Sequence, residues 1–127
     1  MAINFNGNSV WNLKPISLSE IRGEVNGLLI AGEEAILAFK TIRDQLVFTN
    51  KRIICVYVQG LTGSRKSFSS MPYSKIQFFS VQTPSVAELV PDSELFLMFS
   101  NGFTAKFEFK GSVDIGYLGR IISSYVL

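Results

Sequence analysis

The sequence predicts a mainly β fold flanked by helices. Seven short antiparallel strands, in two roughly orthogonal sheets, form a bent or partly open barrel; a short helix precedes them and a C-terminal α-helix caps the end they leave uncovered. Three observations lead there. Short apolar or alternating segments recur between Glu34 and Lys110, separated by turn residues. Asn101-Gly102 lies between the last two segments, a strong hairpin signal because both residues tolerate positive φ. From Val113 onward the apolar spacing becomes helical.

Taken in order, residues 1–15 read as a loose N-terminal arm that Phe5 and Trp11 can dock. A short helix follows. Ser17 and Glu20 have the spacing of a capping box, and Leu18, Ile21, Val25 and Leu28 share one stripe. Gly23 and Gly27 weaken it, by up to about 1 kcal/mol each relative to alanine, so packing must hold it. Gly32 is its expected stop.

The strands are expected at 34–41, 45–49, 52–59, 65–71, 75–82, 94–100 and 103–110, with a loop between the fifth and sixth bounded by Pro84 and Pro91. In the last strand Phe103, Ala105, Phe107 and Phe109 alternate with polar residues, the mark of one buried and one wet face. The third strand contains Ile53-Ile54-Cys55-Val56-Tyr57-Val58, apolar on both faces. It should be central and covered on both sides, or covered on one side by another subunit. The final helix is expected over 113–126, capped by Ser112 with Asp114 in its first turn. Its expected buried stripe is Ile115, Leu118, Ile122 and Tyr125.

Composition narrows the function classes. The chain has 127 residues, 47% of them hydrophobic and eleven of them phenylalanine, which implies one domain with a real core. A net charge of +2 gives little field for nucleic acid, and no nucleic-acid partner is expected. No apolar run approaches the ~18 residues of a helical membrane span. The N-terminus has no secretory pattern. Cys55 is the sole cysteine and histidine is absent, so neither a disulfide nor a metal-ligand pattern is present. A reduced, cytoplasmic setting follows.

Three linked motifs carry a family resemblance. "IRDQLVFTNKRII", "VQGLTGSRKSF" and "MPYSKIQFFSVQ" contain Arg-Asp, Phe-Thr-Asn-Lys-Arg, Gly-Leu-Thr-Gly and Pro-Tyr-x-x-Ile in order. This pattern resembles the bacterial pleckstrin-homology (PH) domain family over Ile21 to Leu127, giving a PH-like domain at 16–127 and leaving the arm outside. The resemblance implies a PH-like barrel in a cytoplasmic bacterial protein, no catalytic activity and no cofactor. It also implies a cyclic homo-oligomer with a polar surface where strands of neighbouring subunits meet. Some relatives carry an added C-terminal helical hairpin; here the single-domain form is expected. Where the family often has a charged or polar pair before Gly-Leu-Thr-Gly, this chain has Tyr57-Val58-Gln59.

Candidate site residues fall into two groups. Arg43, Arg65 and Lys66 belong to connections that emerge at one end of an antiparallel meander, with Lys40 near them. They are candidates for an anion, a lipid headgroup or another phosphate ligand, although Asp44 in the same short connection would repel one. Asp44, Asn50, Lys51, Arg52, Lys106, Glu108 and Lys110 are candidates for protein contact. Thr49 to Arg52 has two readings: a tight, soluble turn, or a recognition tip. Lys106, Glu108 and Lys110 form a solvated face that blunts edge pairing, or meet charges on a neighbour. Gly60-Leu61-Thr62-Gly63 lacks the Lys-Ser/Thr ending of a phosphate loop and reads as a turn. The phenylalanines, Phe78, Phe79, Phe96 and Phe99 among them, read as core. Without histidine, and with Cys55 in a buried strand, the chain offers no evident nucleophile or base. The leading expectation is therefore a non-catalytic module that self-assembles and presents a polar strand surface to a protein; the alternative is anionic-ligand binding.

Overall fold

The computed structural model describes residues 9–84 and 92–127. Phe5, Pro91 and most of the loop expected before the sixth strand lie outside them. The fold is mainly β with a C-terminal helix, but it contains eight strands, not seven. The additional strand is β1 (Ser9–Ile16), in the stretch expected to be a loose arm. Its polar residues hide it from periodicity. It is a strand because it pairs in parallel with the far end of the chain, Ser9 facing Lys106 and Leu13 facing Phe109. The register shifts between Val10 and Leu13, where Asn12 adopts a φ of 61°.

The others are β2 (Ala35–Lys40), β3 (Gln45–Thr49), β4 (Arg52–Gln59), β5 (Arg65–Pro72), β6 (Ile76–Gln82), β7 (Ser93–Phe99) and β8 (Thr104–Phe109). Their hydrogen-bonded order is β5-β4-β3-β2-β1-β8-β7-β6. One run of eight thus replaces the expected seven strands in two sheets, because β1 pairs where no strand was expected. The described residues divide into two compact units. One spans Pro15–Pro72; the other joins the described residues of 5–14 to Tyr73–Leu127.

In the first unit β2 to β5 form an antiparallel meander. The chain itself covers β4 on both faces. Ile54, Val56 and Val58 pack in one cluster with Ile21, Val25, Ala38 and Val47. On the opposite face Ile53 and Cys55 are buried beside Phe48 and Leu46, their partners across the ladder. Of the two expected alternatives, burial of this strand needs only the first.

The continuous helix expected from Ser17 to Gly32 does not form. Leu18–Glu20 is a 3-10 turn and α1 (Gly23–Asn26) is a single helical turn. Between them Ile21 and Arg22 are extended, each with ψ of 137°. The side chain of Gln45 accounts for the break: its amide donates to Glu20 C=O at 3.0 Å and accepts from Arg22 N–H at 3.0 Å. Those are backbone groups a helix would otherwise have to satisfy. Ser17 and Glu20 still pair, Ser17 N–H donating to Glu20 Oε2 at 2.9 Å. Ile21 and Val25 are buried, whereas Leu18 and Leu28 stay exposed.

In the second unit β6, β7 and β8 are antiparallel and β1 runs parallel to β8. The β7–β8 turn has three residues rather than two, since Phe99 N–H donates to Phe103 C=O at 2.8 Å. Only Gly102 takes a positive φ, 89°. Asn101 instead accepts from Phe103 N–H at 3.0 Å. The helix α2 (Ile115–Val126) is capped by Asp114, not Ser112: the Asp114 carboxylate accepts from Tyr117 N–H at 2.9 Å. The helix buries Ile115, Leu118, Ile121 and Ile122, while Tyr125 is partly exposed and stacks on Tyr73 with ring centres 5.2 Å apart. Phe99 is core, but Phe78 is half exposed and Phe79 and Phe96 are only partly covered. Among the described residues no helix is long and apolar enough to cross a membrane.

Candidate functional site

The turn between β3 and β4 is tied inward. Arg52 donates from Nε to Glu33 Oε2 and from Nη2 to Glu33 Oε1, both at 2.9 Å. The Glu33 side chain is fully buried. Thr49 Oγ1 donates to Glu33 Oε2 at 2.7 Å and accepts from the N–H groups of Lys51 and Arg52 at 3.0 Å. Arg52 also donates to Leu28 C=O at 2.8 Å and to Ser70 Oγ at 3.0 Å. Asn50 accepts from Glu34 N–H and donates to Gly32 C=O, each at 2.9 Å. Thus the side chains of Asn50 and Arg52, candidates for display, bond to residues 28–34 and, for Arg52, to Ser70 as well. Lys51 remains exposed.

The same segment is held at its other end over the far end of the sheet, and there a cleft of about 410 Å³ opens. Arg22, Arg43 and Lys66 line it. Arg22 is fixed by the Gln45 bond and donates from Nη2 to Arg43 C=O at 3.2 Å, yet its buried Nε has no hydrogen-bond partner. Arg43 donates to Gly60 C=O, joining the β2–β3 and β4–β5 turns. Lys66 lies 3.3 Å from Glu24, whose carboxylate is half exposed. Gly63 (φ 67°) keeps one wall bare: a Cβ there would lie 3.4 Å from Val58 Cγ1 and 3.7 Å from Arg43 Nη2. Asp44 does not line the cleft. It accepts from Val58 N–H at 2.9 Å. Burial pushes its carboxyl above the usual value, and the Val58 bond and the Arg43 and Arg22 charges only partly offset this.

Of the four anion candidates, the structure brings Arg43 and Lys66 together and adds Arg22, hidden from sequence reasoning inside an expected helix. Lys40 and Arg65 are exposed and outside the cleft lining. In the second unit Lys106 pairs with Glu94 at 3.3 Å and lies over the Trp11 ring, 6.0 Å from its centre. Glu108 faces Glu94 across the ladder. Burial first, then Asp92 and Glu94, raise its carboxyl, with Lys106 and Lys110 opposing. Lys110 is exposed. Burial, then the charge of Asp44, pushes the Cys55 thiol up to about 12, so it stays protonated. Among the described residues no group of three or more His, Cys, Asp or Glu is placed to hold a metal.

These features belong to a PH-like fold, and the chain belongs to the bacterial PH domain family, whose model matches residues 4–126. The match takes in residues 4–15 of the arm that sequence reasoning placed outside it. The chain is 42% identical over 89 residues to the Bacillus subtilis (strain 168) protein YjqA, covering 70% of each. A crystal structure of a DUF1696 family protein with a PH domain from Shewanella loihica PV-4 is similar at 33% identity and a TM-score of 0.78, covering 93% of this chain and 100% of that one. The PH domain from Shewanella amazonensis SB2B matches at 34% identity and a TM-score of 0.66, covering 88% and 90%.

Burial works to raise the Glu33 carboxyl, but bonds from Arg52, Thr49 and Ile30 N–H hold it below its ordinary value of 4.5. A carboxylate lowered in the folded state contributes stability above its unfolded value, lost as pH falls through the folded one. Glu20 and Glu24 are also lowered, and Asp44 and Glu108 are raised, but all four are common to the native protein and Glu33→Gln, so the difference between the two isolates Glu33. Unfolding free energies should differ by about 3 kcal/mol near neutrality. That gap should narrow on acidification below about pH 4.5. A gap independent of pH would show that the ion pair is not the source.

Proposed function

We propose that the domain is a non-catalytic binding module whose cleft takes a small anionic group of the phosphate type. The observation that carries this is the convergence of Arg22, Arg43 and Lys66 on one cleft, with the Arg22 Nε buried and unpartnered. An anion accepts charge-assisted hydrogen bonds from such donors, and guanidinium groups match its geometry. Asp44, the expected obstacle, is turned onto Val58 N–H. The protonated, buried Cys55 supports a binding rather than a reactive role, and a sole cysteine is in keeping with a cytoplasmic setting.

The test is a titration of the protein with inorganic phosphate, followed by amide chemical shifts. Saturable shifts should centre on Arg22, Gly63 and Lys66, weaken with added salt, and lose about tenfold in affinity in Lys66→Gln. Shifts scattered over the surface, or none at low salt, would refute the reading.

A second reading, self-assembly into a cyclic homo-oligomer that presents polar strand surface to another protein, is favoured by the terminal strand β6. It leaves Phe78 half exposed, facing Met98 across the ladder and in edge contact with Phe96, both only partly covered on β7. An exposed apolar end strand is a template for pairing with another chain, and a ring needs two different patches on each subunit. Light scattering of the purified protein should give a multiple of the chain mass. A monomer at micromolar concentration would remove this reading.

A further inference from the structure

In the second unit α2 packs against β6 and β7, on the face that carries Leu95 and Leu97. Val81 belongs to that face: it lies opposite Leu95 and against Gly119 of the helix. The other face keeps aromatic side chains at the surface. Trp11 and Phe78 are each 49% exposed, and Phe96, Met98, Lys106 and Glu108 are only partly covered. They form one continuous surface. Phe78 faces Met98 across the ladder and meets Phe96 edge-on, with ring centres 6.1 Å apart. Phe96 faces Lys106, which reaches over Trp11.

One end of this face is apolar and the other acidic. Glu94 stands opposite Glu108, an arrangement of like charges that costs stability. Lys106 is taken by Glu94 at 3.3 Å, and among the described residues no cation forms a salt bridge with Glu108. Burial, then Asp92 and Glu94, outweigh Lys106 and Lys110 there. Alternate side chains of a strand stand about 6.7 Å apart, so the Glu94–Glu108 row and the Met98–Phe78 row are separated by about 13 Å.

We propose that this face docks an amphipathic segment of another protein, whose arginine or lysine meets Glu108 and Glu94 while its apolar side chains cover Phe78, Phe96 and Met98. The proposal is independent of the anion reading, which concerns the first unit. Charge selects the class of partner. A bilayer surface or a nucleic acid is anionic, and the carboxylates repel it. A second copy laid face to face would set Glu94 and Glu108 against themselves. A small cation alone leaves the aromatic end uncovered. A segment with both characters satisfies the two ends at once, and its cation relieves the repulsion between the facing carboxylates. Half-exposed Trp11 and Phe78 are the residue types that anchor protein contacts.

Trp11 is the sole tryptophan and stands on this face, so its emission reports occupancy. The probe is a short synthetic peptide with leucines at one end, arginines at the other and serines between. Its controls carry glutamates in place of the arginines, or serines in place of the leucines. At low salt the native protein should give a saturable change in Trp11 emission with the parent peptide and none with either control, and added salt should weaken it. Phe78→Ser should lower the affinity about tenfold, and Glu108→Gln about threefold. Phe78 is half exposed and Glu108 faces a like charge, so neither substitution threatens the fold, which denaturant unfolding checks. No emission change with the parent peptide, equal binding of all three peptides, or an affinity that ignores both substitutions overturns the proposal. Light scattering is read in parallel: a fall in native mass in Phe78→Ser also overturns it, because this face would then be a contact between copies of the chain.

Discussion

The contact between Glu33 and Arg52 governs the arrangement of the first unit. A fully buried carboxylate and a guanidinium meet through two bonds of 2.9 Å, and Thr49 adds a third donor. Charges leave water at a cost of several kcal/mol each, and such a pair persists only when geometry and further hydrogen bonds compensate. Here they do: Arg52 also reaches Leu28 C=O and Ser70, and Glu33 also accepts from Ile30 N–H at 3.1 Å. The result is a link between the β3–β4 turn and the segment that covers one face of the meander. Asn50 repeats it through the backbone of Gly32 and Glu34.

That link has a consequence at the opposite end of the sheet. The covering segment carries Ile21 and Val25 into the cluster with Ile54 and Val56, and Gln45 holds it at Glu20 and Arg22. Two points of attachment therefore set where Arg22 stands. The guanidinium then faces Arg43 and Lys66, which the strands bring there through different turns. Polar residues of the β3–β4 hairpin serve the fold; the cations of the cleft lie on the covering segment and at the other end of the meander.

Much of the fold was legible because β-strands of this kind announce themselves. Gln45–Thr49 and Arg52–Gln59 have the bounds that their short apolar runs and the polar turn between them predict. β1 was not legible, since Ser9 to Ile16 has no clean period and owes its conformation to β8. The N-terminal helix was over-read: Ser17, Glu20 and the Ile21–Val25 spacing are real helix signals, but the amide of Gln45 captures the backbone where Arg22 turns extended. In the cleft, Arg43 and Lys66 could be placed from strand connectivity alone. Arg22 could not, because its position depends on that break. Glu33 left no signal beyond a carboxylate beside a glycine, and only its burial against Arg52 shows what it does.

The central claim is that Glu33 and Arg52 act as one unit that fixes the covering segment. A double-mutant cycle measures this most directly, comparing Glu33→Gln, Arg52→Met and both together by denaturant unfolding at neutral pH. The account predicts strong non-additivity, a coupling of about 2 kcal/mol or more, with the double variant little worse than either single one. Additivity within about 0.5 kcal/mol would mean the two side chains contribute separately, and the segment would have to be held by something else.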